Sequence, residues 1–296
     1  MTVLIQPDND TFVSVRGARA AEFLQGQLSC NVPDALAAAM IPGTYNTPKG
    51  RVISNFMLGR LAEDHYLLRM RADVAEVFAT TLGRYAALSR VKVGVDPQAA
   101  NLVFVLAADP QSIGDAIGHA GAGVLAVGGS DAIKELWLRP DSLMVFETAM
   151  GPQLTRGDNA DLARAQIAAG QCQIDAGSSD KYLPNMLGFT RDGSVHFRKG
   201  CYTGQEIIAR AHYRGAVKRE LTQLRGTGPQ PAVGSEVVDA VSCKPRGELV
   251  MVTSTTDGTA WIGLGVLSHD ETALAELCVN NVTVELSVIN SAPANA

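Results

Sequence analysis

A chain of 296 residues, 46% hydrophobic and 19% charged, has material for a packed core and, at this length, for roughly two domains. Its net charge of −5 argues against a general electrostatic footprint for nucleic acid, which needs a basic protein. With 29 glycines and 5% aromatics it favours many turns and small-residue packing over a helical bundle, and its five scattered cysteines, none in a C-x-x-C pair, offer neither a disulfide framework nor a local zinc or cluster site.

The opening MTVLIQPDND carries no basic segment followed by an apolar run, and no apolar stretch nears the ~18 residues of a membrane span, so a soluble cytoplasmic protein with no membrane partner is expected. Residues 11–15 alternate as a strand, Gly17 ends it, and 20–28 form a short helix with Phe23, Leu24 and Leu28 inward. Pro42-Gly43 and the run Asn46 to Gly50 carry turn chemistry. Segments 51–58 and 65–70 are antiparallel strands joined by a turn at 62–64. Asp73 is placed to cap a helix through Ala87, and a strand follows at 91–95. A buried-type strand at 102–108, a helix from Pro110 toward His119, strands at 123–127 and 143–147, and a helix at 159–170 come next. From 219 onward, short strands punctuated by Gly and Pro indicate a small all-β barrel or sandwich.

These elements predict an α+β protein with antiparallel sheets. The expected divisions are an α+β domain at 1–95 and a second at 96–218, the two able to interleave. A C-terminal β-barrel at 219–290 and a disordered tail at 291–296 complete the set.

The segment from Lys199 to Arg210 describes a helix start: Thr203 and Glu206 form a capping box, Tyr202 and Ile207 a hydrophobic staple, and Glu206 and Arg210 a favourable i,i+4 pair. Cys201 then lies two residues before the N-cap, after Gly200, with Arg198 and Lys199 beside it. Helix dipole and cations both favour a thiolate, which makes Cys201 the candidate reactive thiol, against the alternative of a small buried hydrophobe. The other four cysteines lie in or beside apolar segments and are expected to be packing residues. From 191 to 219 seven basic residues face two acidic ones, a local charge of +5 on an acidic chain, which suits an anionic ligand or partner or else a solvated face.

The run Lys199-Gly200-Cys201-Tyr202-Thr203-Gly204-Gln205-Glu206, followed by Ile207-Ile208-Ala209-Arg210, resembles the hallmark motif of the YgfZ family. Supporting stretches are Phe23 to Leu28, Tyr45-Asn46 with Lys49-Gly50-Arg51, and Ala168-Ala169-Gly170 before Ile174-Asp175. The resemblance implies a three-domain ring shared with glycine-cleavage T-proteins, the aminomethyltransferases. It implies tetrahydrofolate as bound ligand in the central channel, no intrinsic metal, and a role in maturing or repairing iron–sulfur enzymes, including those that thiolate tRNA. Partners would be folate and iron–sulfur client proteins or assembly factors.

The motif cysteine falls on Cys201, with Lys199 and Arg210 as its chemical neighbours; the candidate folate-binding residues are Tyr45, Asn46, Gln166, Arg198, Tyr202, Gln205 and Glu206. T-proteins carry a catalytic Asp in a segment equivalent to Gly50–Asn55; Ser54 and Asn55 stand there, and neither takes a proton as a carboxylate does. Their pterin-reading Glu corresponds to Ala168, so Gln166 or a backbone group would substitute. The implied function is a folate-binding accessory protein without aminomethyl transfer. The alternatives are a one-carbon transferase that works without the usual carboxylate, and direct RNA binding at 191–219 with Tyr202 and Tyr213 stacking, which the net acidity disfavours.

Overall fold

The computed structural model describes residues 2–106, 109–130, 132–152, 154–214, 218–268 and 276–287. In chain order the first half contains β1 (Thr2–Ile5), β2 (Asp10–Arg16), α1 (Ala20–Gln27), β3 (Ala38–Asn46), β4 (Val52–Ala62), β5 (His65–Arg71), α2 (Ala72–Ala86) and β6 (Lys92–Val95). Then come β7 (Asn101–Leu106), α3 (Pro110–Ala120), β8 (Val124–Gly129), β9 (Ile133–Leu138), α4 (Leu143–Met150), β10 (Leu154–Arg156), α5 (Asn159–Ala168) and α6 (Gln205–Arg214). The last part is all β: β11 (Arg219–Thr227), β12 (Glu236–Asp239), β13 (Pro245–Ser254), β14 (Ala260–Ser268), β15 (Leu277–Val279) and β16 (Val282–Ser287).

The first ten strands form one sheet in the order β10-β1-β7-β9-β8-β3-β4-β5-β2-β6, and the last six close into a barrel in the order β11-β14-β13-β12-β15-β16. Pairing is antiparallel except at β1–β10 and β3–β8, so the class is α+β with a mixed, mostly antiparallel sheet. The β3–β8 pairing, through Ala38 and Ala39, joins two half-sheets into one. The N-terminal strand β1 lies in the far half, between β7 and β10.

Strand periodicity explains the layers. On β7, Leu102, Phe104 and Leu106 face one core while Val103 and Val105 face another, packed under α3 and α4. On β5, Leu68 and Met70 enter the core under α2, and Leu67 enters the core that Phe104 shares with Trp137 and Phe12. The helix α5 wedges between sheet and barrel: Leu162 packs on the sheet, and Ile167 packs with Val250, Leu264 and Val266 of the barrel. Gln223 of β11 donates to the carbonyls of Ile167 (2.5 Å) and Ala168 (3.0 Å), and Arg164 donates to Ser254 O at 3.0 Å, which locks this joint.

Three of the expected local features take another form in the structure. The apolar run 143–147 is the helix α4 and not a strand; β9, unpredicted, supplies the strand of this region. A short apolar run carries no period of its own, and here Phe146 alone is buried while Met144 and Val145 face outward. Pro42-Gly43 lies inside β3, not in a turn; β8 pairs only with Ala38 and Ala39, so on that side β3 is a free edge at Pro42, where strands tolerate proline. Asp73 sits within the first turn of α2 and pairs with Arg71 at 3.4 Å; the N-cap is Arg71, with no side-chain cap. The expected terminal tail lies outside the described residues, as does the end of the helix expected near Gly215.

The helical assignment of α4 has a direct test. Phe146→Ala should cost about 3–5 kcal/mol of stability in urea denaturation, whereas Met144→Ala should stay within about 0.5 kcal/mol. Equal losses would fit a strand, in which residues 144 and 146 share a face.

Candidate functional site

Three of the stretches quoted from the sequence, Lys199 to Glu206, the end of Phe23 to Leu28 and the turn at Thr47 to Gly50, converge on one corner. Gly204 has φ +83°, and a Cβ there would stand 2.5 Å from Thr47 O, so the glycine is required where the Lys199–Glu206 segment meets the Thr47–Gly50 turn. Gly50, at φ +73°, packs in turn against Ile207 and Ile208. Lys199 Nζ donates to the carbonyls of Leu28 and Cys30, both at 2.6 Å, and Thr203 Oγ1 donates to Gln27 Oε1 at 3.4 Å. Ser29 Oγ donates to Ser194 O at 2.5 Å, and His196 N to Ser29 O at 2.9 Å.

Several predicted details change here. The helix α6 begins at Gln205, and among the described residues neither capping-box bond is made: Thr203 Oγ1 donates to Gln27, and Glu206 is exposed and pairs with Arg210 at 3.1 Å. The hydrophobic contact runs from Tyr202 to Ile208, with Val195 and Phe197, while Ile207 is partly exposed. Lys199 turns to backbone carbonyls and to the Tyr202 ring (5.3 Å), and burial lowers its pKa to about 8.

Cys201 is exposed at the surface of this corner. Cys30 and Cys172 are buried, and burial pushes both thiols up to about 12. Cys243 is exposed and Cys278 half-buried, so the packing role expected for all four holds only for Cys30 and Cys172. Tyr45 is a core residue, edge-on to Phe78 at 5.3 Å, with its hydroxyl pushed up to about 12 by burial. Asn46 is fully buried and bonded to Thr44, and Tyr202 is buried with its hydroxyl unpartnered among the described residues. Arg198 and Arg210 are exposed and Gln205 half-buried.

The cavity lies elsewhere, between the two half-sheets and the segment that follows α5. It has a volume of about 380 Å³ and is walled by Phe56, Met57, Phe104 and Phe189, with Asn55, Arg69, Glu135, Gln166, Gln173 and Asp192 among its polar lining. A second hollow of about 180 Å³ shares Gln166 and Gln173 and reaches Asp10, Arg71 and the barrel residues Val250 to Val252. Cys201 borders neither. Of the predicted ligand-binding residues, only Gln166 lines the cavity. It is 5% exposed, and its amide engages no protein group among the described residues. Ala168 is exposed and lines neither hollow.

Period-2 geometry brings the missed residues together. Arg69 follows Leu67 on its face of β5, Glu135 lies between Ile133 and Trp137 on β9, and Asp10 precedes Phe12 on β2. Arg69 meets Glu135 through Nε (2.9 Å) and Nη2 (2.5 Å), and Trp137 Nε1 adds a bond to Glu135 at 2.8 Å. Burial works against the Arg69 charge, and Glu135 and Asp10 more than restore it. Burial pushes the Asp10 carboxyl up to about 6, with Arg69 pulling it down and Glu135 pushing it further up. A charged residue at an inward position of an otherwise apolar strand, in HYLLRMR and IKELWL, was the available signal.

At the position of the missing carboxylate, Ser54 donates to Asn55 O, and Asn55 clamps the next segment: its Nδ2 donates to Cys172 O at 3.2 Å and its Oδ1 accepts from Ile174 N at 2.8 Å. Both side chains serve structure there. Among the described residues no group of three or more His, Cys, Asp or Glu could hold a metal, and no helix is long and apolar enough to cross a membrane.

Two measurements follow. Glu135→Gln should lose about 3–5 kcal/mol in urea denaturation, because it strands Arg69 as a buried cation, and Arg69→Met with Glu135→Leu should recover most of that loss. A thiol-alkylation time course should label Cys201 and Cys243 in the native protein, and Cys30 and Cys172 only on unfolding. Protection of Cys201 until unfolding would remove it as an accessible thiol.

No protein-family model matches the chain. It is 28% identical over 282 residues to the tRNA-modifying protein YgfZ of Edwardsiella ictaluri, covering 90% of this chain and 85% of that one. It is also 28% identical over 306 residues to the tRNA-modifying protein YgfZ of Yersinia pseudotuberculosis serotype O:1b, covering 98% of this chain and 92% of the relative. Its fold superposes on the glycine cleavage system aminomethyltransferase T from Bartonella henselae with a TM-score of 0.74 at 13% identity, over 98% of this chain and 86% of that one. The chain is thus similar over nearly its full length to the YgfZ tRNA-modifying proteins and shares the fold of the aminomethyltransferase T-protein.

Proposed function

We propose that this protein is a cytoplasmic tetrahydrofolate-binding accessory factor for assembly or repair of iron–sulfur enzymes, including those of tRNA modification, and that it does not transfer aminomethyl groups. The observation that carries the reading is a cavity with a free, buried Gln166 amide and no carboxylate at positions 54 and 55.

The lining suits a pteridine ligand. A volume of about 380 Å³ lies within the span of about 300–1,000 Å³ typical of small-molecule sites. Phe56, Phe104 and Phe189 supply apolar wall for a flat ring, and the Gln166 amide can both donate and accept. Bound tetrahydrofolate would supply a one-carbon carrier. The chain's own residues bind and orient it, but at the carboxylate position they move no proton: the Asn55 amide has neither the basicity nor the freedom for that task. Glu135 is committed to Arg69 and Trp137.

Client recognition falls to the other corner. Cys201 is exposed three residues after the exposed Arg198, and the following helix α6 carries the exposed Arg210 and Tyr213, the latter 68% exposed. A thiol with neighbouring cations on an accessible surface suits transient engagement of an acidic protein face. The relatives named above are called tRNA-modifying; for this chain the link to tRNA is inferred through client enzymes that thiolate it.

Calorimetry should detect tetrahydrofolate binding, while the same protein shows no folate-dependent release of a one-carbon unit from aminomethyl or N-methyl substrates. In cells, Cys201→Ser should reduce tRNA thiolation without reducing the protein's abundance. Robust turnover would replace the accessory role with a transferase, and wild-type thiolation in the Cys201→Ser strain would leave the thiol without a client function.

A further inference from the structure

The smaller hollow holds two polar groups that the folded chain leaves unmet. Asp10 of β2 and Arg71 of β5 are register partners across the strand pair, and both border this hollow. Asp10 Oδ1 and Arg71 Nε are buried and have no hydrogen-bond partner among the described residues. The only ion pair of Arg71 among the described residues is the 3.4 Å contact with Asp73. Buried polar groups in native proteins are almost always bonded, so an orphaned acceptor beside an orphaned donor indicates a partner supplied from outside the chain.

We propose that Asp10 and Arg71 read the 2-amino-4-oxopyrimidine edge of a pterin head, the carboxylate accepting the ring's two N–H donors and the guanidinium donating to its carbonyl oxygen. This rests on the folate reading above and deepens it. The edge chemistry is shared with guanine, which an experiment must separate. The two hollows share Gln166 and Gln173, so a ligand in the larger cavity can extend its head into the smaller. The charges facing Asp10 are Arg69 and Arg71 of β5, Glu135 of β9 and Asp73 of α2, and they leave its carboxyl near 6, so it is chiefly the acceptor carboxylate at neutral pH. Ala168 cannot take this part: it is exposed and its carbonyl belongs to Gln223. The acid expected on helix α5 has its counterpart on strand β2.

The test uses the full chain in calorimetric titrations at pH 7.5 with four probes: tetrahydrofolate, 6-methyltetrahydropterin, p-aminobenzoylglutamate and guanosine. Asp10→Asn should weaken the two pterin compounds roughly tenfold or more, because a charged acceptor is lost, and leave p-aminobenzoylglutamate unchanged. Arg71→Leu, a second variant, should show the same selective loss. Ala168→Glu should not tighten any probe. Folding is checked by melting. Asp10→Asn removes a carboxyl whose folded pKa lies above its unfolded value, so its melting temperature should exceed wild type at pH 7.5 and the gain should vanish near pH 4. Wild-type affinity in Asp10→Asn, tighter pterin binding in Ala168→Glu, or guanosine binding in place of the pterins would overturn the proposal while leaving the folate reading open to its own test. Absence of any tetrahydrofolate binding by the wild-type protein would defeat both.

Discussion

The buried pair of Arg69 and Glu135 is the constraint on which the centre of this molecule depends. Two charges withdrawn from water are tolerated only when each meets the other in good geometry and the remaining lone pairs are filled. Here the pair joins β5 of one half-sheet to β9 of the other, and the Trp137 indole fills the remaining demand of Glu135. The pairing fixes the distance between the half-sheets. It thereby keeps a polar floor open in a region whose other walls are Phe56, Phe104 and Phe189. An apolar pair of the same volume would give no reason for the cavity to stay polar. The ion pair also sets the field around it, since the Asp10 carboxyl is buried within reach of both partners and feels them with opposite sign.

The second fixed unit is the corner where Lys199 to Glu206 docks. Its backbone is held by contacts that tolerate no substitution of shape: Gly204 against Thr47 O, and Gly50 against two isoleucines. Lys199 then serves as an internal strut, closing the Leu28 and Cys30 carbonyls. A residue chosen in the sequence for its charge next to a cysteine thus acts mainly through the hydrogen bonds it donates. The cysteine remains outside this framework, exposed at its rim.

What the sequence disclosed and what it withheld follows from how far each signal reaches. Local periodicity and turn chemistry gave most strands and helices, and the barrel from 219 onward, because these depend on neighbours a few residues away. The run 143–147 failed because five apolar residues hold no period that separates strand from helix. Pro42 misled because its tolerance depends on β8 ending its pairing at Ala39, a fact of tertiary topology. The candidate site shows the same division. The motif corner was legible, since its residues are contiguous. Arg69, Glu135 and Asp10 were not, because three strands far apart in sequence had to be stacked on one face before their charges could be seen to meet. Tyr45 was legible as part of a motif but not as core, because its burial is decided by α2 lying across it.

Cavity and thiol are separate in space yet joined by covalent sequence, and the connecting segment is stiff. Asp192 and Ser194 border the large cavity; Ser194 O is then held by Ser29, His196 N by Ser29 O, and Lys199 by the carbonyls of Leu28 and Cys30. From 194 to 199 the chain is therefore fastened, bond by bond, to residues 28–30, which themselves lead from helix α1 into β3. A fastened segment transmits position and not motion: it sets where Cys201 stands relative to the cavity and gives little means for one to displace the other. On the proposed reading, ligand and client are then recognised by one rigid body at two addresses, and any influence of the first on the second passes through stability of the whole frame, of which the central ion pair is the most costly part to disturb.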